Sequence, residues 1–171
     1  MQNHYQLFHL PQQFGIDTGA LDQAYRDVQG QVHPDKFVNG SDAEKRVAMQ
    51  WATRANEAYQ TLRNPLKRAA YLCELNGIDL QVESSTAMPV AFLMQQMEWR
   101  EALDEVTAAR DLGALERLNV EVRQAWSSEV EKIAGLLDSS AFPAAAQAVR
   151  ELMFLDKFRA EIADTYEVLD E

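Results

Sequence analysis

The stretch Gln31-Val32-His33-Pro34-Asp35-Lys36-Phe37-Val38-Asn39-Gly40-Ser41-Asp42-Ala43-Glu44 decides how this chain folds. Upstream of it, Leu21, Tyr25, Val28 and Val32 recur every three or four residues behind Asp17 and Thr18, either of which can cap a helix. Pro34 disfavours helical geometry at the residue before it, so that helix must end at His33. A loop through Asn39-Gly40 follows. Ser41 with Glu44 three residues on has the form of a capping box, opening a second helix with Ala48, Trp51, Ala55, Ala58, Tyr59 and Leu62 on one face. Two amphipathic helices joined by a short proline-braced segment pack antiparallel, which puts His33-Pro34-Asp35-Lys36 at the exposed tip of a hairpin.

Working outward, the second helix should stop near Asn64-Pro65, and a further helical segment from Leu66 to Leu75 then reaches a C-terminal stop at Asn76-Gly77. The first domain is therefore expected over residues 1–76. Residues 77–88, which include Glu83-Ser84-Ser85-Thr86, are polar and without periodicity, as in a linker. Beyond them the apolar spacing predicts three helices, roughly Pro89 to Ala109, Leu112 to Leu137 and Phe142 to Leu169. The short connections Arg110-Asp111 and Asp138-Ser139-Ser140 imply antiparallel neighbours in a C-terminal three-helix bundle over 89–171. No useful stretch alternates with period two, so the expected fold class is all-α.

Composition narrows the function. A chain of 171 residues, 47% apolar, can bury a core for one ordinary domain or two small ones. A net charge of -11 without a basic block argues against nucleic acid as a partner. No apolar run approaches the roughly eighteen residues of a membrane span, and Met1-Gln2-Asn3-His4 lacks the pattern of a secretory signal, so a cytoplasmic protein is expected. The single cysteine, Cys73, cannot form an internal disulfide and has no Cys or His neighbours at ligand spacing, so no metal site or cofactor is expected. Charge is unevenly placed: residues 1–76 hold eight Lys/Arg and eight Asp/Glu, whereas 77–171 hold eight against nineteen. Two halves of such different charge meet different partners.

At the hairpin tip, Pro34 removes backbone freedom, so His33 and Asp35 can offer a donor and an acceptor to an outside surface with little entropy left to lose. That suits recognition. A His and an Asp could also serve acid-base chemistry, but no nucleophile, metal cluster or third orienting group accompanies them, and no catalytic residue is assigned. The setting of the motif is more specific than the motif. Tyr5-x-Leu7-Phe8, Tyr25-Arg26, His33-Pro34-Asp35-Lys36, Ala58-Tyr59-x-x-Leu62 and Asn64-Pro65-x-Lys67-Arg68-Ala69-Ala70-Tyr71 together resemble the J domain of the DnaJ family over about residues 4–75. The resemblance implies that His33, Pro34 and Asp35, with Lys36, Arg26 and Tyr25 around them, dock on a DnaK/HscA-type chaperone and stimulate its ATP hydrolysis. The hydrolytic groups would be the partner's, its active conformation being favoured by differential binding. In one respect the sequence departs from the family: the helix before the motif carries only Arg26 as a basic residue, and Gly30 stands where another would help. Gly in a helix interior costs about 1 kcal/mol against Ala, so this helix is expected to be weak near its end.

In the acidic half, Phe92, Trp99, Leu103 and Val106 line one face of the first bundle helix. Leu93, Met94 and Met97 fall on a separate arc roughly 100° to 200° away, bordered by Glu98, Glu101 and Glu105. The last helix repeats the pattern: Ala148, Leu152, Leu155, Ile162, Tyr166 and Leu169 form a core stripe, while Phe154 points about 120° off its axis. Periodicity leaves two readings open, a broad buried arc within the bundle or an apolar binding face rimmed by carboxylates. Ala91-Phe92-Leu93-Met94-x-x-Met97-Glu98-x-Arg100-Glu101-x-Leu103-Asp104-Glu105 and Arg150-x-Leu152-x-Phe154-Leu155-Asp156-Lys157 are similar to the HscB family, J-type co-chaperones of iron-sulfur cluster biogenesis. No Gly/Phe-rich stretch or cysteine-rich zinc module follows the J-like segment. That resemblance implies that the bundle binds the scaffold protein IscU and brings it to the chaperone HscA. Leu93, Met94, Met97 and Phe154 would form the apolar patch and Glu98, Glu101 and Glu105 its rim. Met97 stands where leucine is common and preserves apolar volume. A monomer is expected; another client, or a dimer seam through Leu93 and Met97, is the rival.

Overall fold

A computed structural model describes residues 2–80 and 88–171 of the chain. Among these the regular structure is helical throughout. It comprises α1 (His4–Leu7), α2 (Thr18–Val32), a 3-10 turn (Pro34–Phe37), α3 (Asp42–Arg63), α4 (Pro65–Leu75), α5 (Val90–Ala109), α6 (Leu112–Asp138) and α7 (Phe142–Leu169). The chain divides between Leu75 and Asn76 into two compact units. Most of the expected linker, residues 81–87, lies outside the described residues.

In the first unit α2 and α3 form the antiparallel hairpin. Asp17 caps α2, its carboxylate accepting from the Ala20 amide at 3.1 Å. Helical geometry stops at His33 (φ -59°, ψ 136°), as the proline after it requires. Ser41 caps α3 by accepting from the Glu44 amide at 3.1 Å. Only half of the expected capping box forms, because Glu44 takes the Ser41 hydroxyl proton (3.2 Å) instead of reaching back to the Ser41 amide. A full box closes at Asn3 and Gln6 instead, where the sequence reading placed none. Ala48, Ala55 and Ala58 bring α3 close to its neighbours, and Leu21 and Leu62 fill the space between at 0% exposure. Trp51, expected within the buried stripe, lies at 37% exposure beside an open cleft along α2, with the Arg54 guanidinium over its ring. Helix α4 closes the unit. The Tyr71 hydroxyl accepts from the His4 amide (3.0 Å), and its ring stacks on the His4 ring. Buried Arg68 donates to the Leu62 carbonyl at 2.7 Å and lies over Phe14. Cys73 is buried, and Gly77 adopts φ +86° after the helix end, a conformation that glycine allows without strain.

The second unit is an up-down-up bundle. Trp126 with Arg159, Glu116 with Tyr166 and Lys132 with Glu151 pair α6 antiparallel to α7. Phe92 with Phe154, Trp99 with Phe158 and Arg100 with Glu161 run α5 parallel to α7. Asp111 caps α6 through the Ala114 amide, and the preceding Arg110 turns the chain in the left-handed region (φ 51°). The Arg110 guanidinium also reaches the carbonyls of Val168 and Leu169 at the end of α7, a cation on the negative pole of a helix. The core holds Trp99, Leu103, Val106, Leu115, Val122, Ile133, Leu152, Leu155 and Ile162. Phe158, absent from the expected stripe, is 2% exposed, whereas Phe92 is only half buried and Tyr166 keeps its hydroxyl outward to Glu116 at 2.6 Å.

Candidate functional sites: a polar tip and an apolar face

At the tip of the hairpin His33, Pro34, Asp35 and Lys36 are all exposed, with 58% of the His33 side chain and 87% of the Asp35 side chain open. The turn is braced twice. The Lys36 amide donates to the His33 carbonyl at 3.0 Å, and the Asp35 amide donates to His33 Nδ1 at 3.1 Å. A ring nitrogen that accepts carries no proton, so neutral His33 holds its proton on Nε2, the nitrogen facing away from the turn. The Asp35 carboxylate stands 3.6 Å from Nδ1. The tip thus presents a donor, a carboxylate and the Lys36 ammonium on a backbone fixed by Pro34.

The neighbouring residues divide. Arg26 is exposed on the outer side of α2, with Nε 3.4 Å from the Asp22 carbonyl of its own helix. Tyr25 is half buried and packs within the hairpin. Its ring stacks on Tyr59 at 4.1 Å, and its hydroxyl donates to Asn56 and accepts from Gln29. It braces α2 against α3 and contributes to the tip through that packing. Gly30 remains helical, since α2 runs on to Val32, and a side chain there would meet nothing within 4 Å. A shallow groove leads from Tyr25 and Gln29 past Gly30 to the turn.

On the bundle, Leu93 (46%), Met94 (57%), Met97 (66%) and Phe154 (50%) are exposed. Phe154 meets α5 edge-on at Phe92, with centroids 6.2 Å apart, so an aromatic pair joins the two helices where the apolar side chains emerge. Below it Trp99 stacks on Phe158, and Arg100 is paired with Glu161 at 2.5 Å. Glu98, Glu101 and Glu105 are exposed on α5. The core of the bundle is complete without the patch, because Trp99, Leu103 and Val106 supply the buried stripe of α5. Val90 and Met153 are also exposed and extend the apolar surface at the start of α5 and beside Phe154. Neither was singled out by periodicity, although Met153 shares with Phe154 a position off the core stripe.

A charged cluster where α6 packs on α7, with Glu151 buried and Lys132 exposed, had no signal in the sequence. Glu151 of α7 is 5% exposed, and Lys132 of α6 lies 3.7 Å from it and 3.8 Å from Glu129. Burial, then a hydrogen bond to Glu151, pushes the Glu129 carboxyl up to about 7 against the pull of Lys132. Near neutrality that carboxyl therefore stands close to its midpoint between acid and carboxylate. Among the described residues there is no group of three His, Cys, Asp or Glu placed to hold a metal, and no helix long and apolar enough to cross a membrane.

An exposed His-Pro-Asp turn on an antiparallel hairpin defines a J domain, and residues 3–71 match the DnaJ domain family. This is a J-type co-chaperone. Residues 88–163 match the family described as the HSCB C-terminal oligomerisation domain. Among curated proteins the chain is 56% identical over 168 residues to the co-chaperone HscB homolog of Burkholderia cenocepacia, covering 98% of this chain and 96% of that one. Its fold is similar to the chaperone HscB from Vibrio cholerae, with TM-score 0.88, 37% identity, and 98% and 99% of the two chains covered. It is similar also to the human co-chaperone HscB, with TM-score 0.89, 26% identity, and 95% and 81% covered. The chain belongs to the HscB family.

Proposed function

We propose that this protein is a cytoplasmic adaptor that docks a DnaK/HscA-type chaperone through its hairpin tip and holds the iron-sulfur scaffold IscU on the α5–α7 face. It would deliver the scaffold during cluster assembly and transfer. The observation that carries this reading is the division of exposed chemistry. A braced polar turn stands on one unit, and an apolar patch of Leu93, Met94, Met97 and Phe154, on an acidic helix face, stands on the other. The tip acts by binding one conformation of the chaperone better than another, so the ATP-cleaving groups remain the partner's and this chain performs no chemistry. The patch offers aromatic and thioether surface for burial, and its carboxylates favour a partner with a basic rim. Holding both proteins on one chain raises the effective concentration of scaffold at the chaperone.

The test measures ATP turnover by HscA with this protein, with and without IscU, for wild type, His33→Gln and Phe154→Ala. His33→Gln should abolish stimulation while scaffold binding survives. Phe154→Ala should weaken scaffold binding while stimulation by the tip survives. A folded variant that loses both activities sinks the division of labour.

The description of the C-terminal family as an oligomerisation domain favours a second reading, in which the same patch joins two copies of this chain. Light scattering separates the two. A monomer whose mass is unchanged by Met97→Ala and Phe154→Ala supports the adaptor, and a dimer dispersed by them supports the seam.

A further inference from the structure

Met94 and Met97 stand one turn apart on α5 with 57% and 66% of their surface open, and Met153 on α7 is 39% open. Methionine is an unusual choice for a solvent-facing helix position, where it gains no burial. Here the thioethers lie outside the buried stripe of Trp99, Leu103 and Val106, so chemistry at sulfur leaves the bundle core intact. Met88, by contrast, is half buried, and its sulfur accepts from the Gln147 amide at 3.5 Å.

We propose that Met94 and Met97 form a peroxide-sensitive modification site whose oxidation to sulfoxide switches off docking at the α5–α7 face. This rests on the reading of that face as the scaffold-binding surface. The oxidant is hydrogen peroxide. A thioether lone pair attacks one peroxide oxygen, the O–O bond breaks as the S–O bond forms, and the other oxygen leaves as water after taking up a proton. Sulfur loses two electrons and peroxide gains them. The product exchanges an adaptable apolar group for a strongly polar one that is costly to desolvate in an interface. The step reverses when the dithiol of a methionine sulfoxide reductase is oxidised to a disulfide and the sulfoxide oxygen departs as water. Two thioethers on one arc make the loss larger than a single site would, because both must be buried against the same partner.

The experiment treats the full chain with hydrogen peroxide, maps sulfoxides by peptide mass, checks helicity by circular dichroism, and measures affinity for purified IscU. Wild type, Met49→Leu and the double variant Met94→Leu/Met97→Leu are each compared with their own untreated sample. Met49 is the control, as exposed (70%) but on α3 of the other unit. Wild type and Met49→Leu should keep their helicity and lose at least about tenfold in affinity, with recovery on incubation with the reductases and a dithiol. The double variant should change less than about twofold from its own starting value. Oxidised wild type that binds as tightly as before overturns the proposal, and so does a double variant that loses as much as wild type. Met94 and Met97 left unmodified while Met49 is converted also overturns it. If the untreated chain does not bind IscU, the docking reading fails and the switch with it, a failure that the sulfoxide map distinguishes from inert sulfurs.

Discussion

The hairpin tip and the bundle face are both exposed, but they are built on opposite principles. At the tip two backbone amides and a proline hold one imidazole and one carboxylate in a fixed arrangement. On the face, flexible thioethers and one aromatic ring spread apolar surface over two helices, and only Phe154 is fixed by a ring contact. The first suits a signal that depends on a few donors and acceptors standing where the partner needs them. The second suits a grip whose strength is summed from many contacts and degrades by degrees. Losses at the tip should therefore be nearly all-or-none, and losses on the face graded.

The sharpest way to break this contrast is at the tip. Asp35→Asn keeps size and backbone but removes the charge, and stimulated chaperone ATP turnover is expected to fall to the unstimulated rate. A partial loss resembling that of a face variant would erase the distinction. Next comes Phe154→Ala, which removes the one ring locked to Phe92 and should weaken scaffold affinity by about 10- to 100-fold in calorimetry, or about 1.4–2.8 kcal/mol. Met97→Ala should cost less, about three- to tenfold, since a flexible thioether gives up less on truncation.

The face also rests on a bundle with a titrating interior, which offers a test by pH. Glu129 has its folded pKa raised from 4.5 to about 7. Its contribution to stability is therefore fully present below about pH 4.5 and is lost as pH rises through about 7. The span is on the order of 3 kcal/mol. Urea denaturation between pH 5 and 8 should show the decline, and Glu129→Gln, which keeps a donor toward Glu151, should flatten it. A slope that survives the substitution would place the titration elsewhere. The smallest expected effect returns to the hairpin. Gly30→Ala should stabilise the first unit by roughly 0.5–1 kcal/mol, because the added methyl meets nothing within 4 Å. If stimulation also changes, the open groove beside Gly30 is part of the docking surface; if only stability rises, the tip acts alone.

Most of the architecture was legible because its determinants are local. Asp17, Pro34, Ser41 and Gly77 each act within a few residues, so the ends of α2 and α3 and the stop after α4 follow from adjacent chemistry. The surplus apolar arc of α5 could be seen because helical periodicity separates Leu93, Met94 and Met97 from Trp99, Leu103 and Val106 without knowledge of any neighbour. Where the reading failed, the answer depended on what another helix brought. Trp51 has the spacing of a core residue, but α2 leaves an open cleft beside it and does not cover it. Glu44 has the spacing of a capping box and spends its carboxylate on the Ser41 hydroxyl.

The sequence by itself determined an all-helical chain, a hairpin turned at His33-Pro34-Asp35, and a bundle helix with more apolar surface than a core requires. These are properties of backbone geometry and of 3.6-residue periodicity, which a chain carries before it folds. Only the tertiary structure decided that buried Glu151 meets Glu129 and the exposed Lys132, that Phe92 meets Phe154 edge-on, and that Arg110 caps α7. Each of these joins residues far apart in the chain, and no local preference specifies which side chains will meet when three helices close around one core.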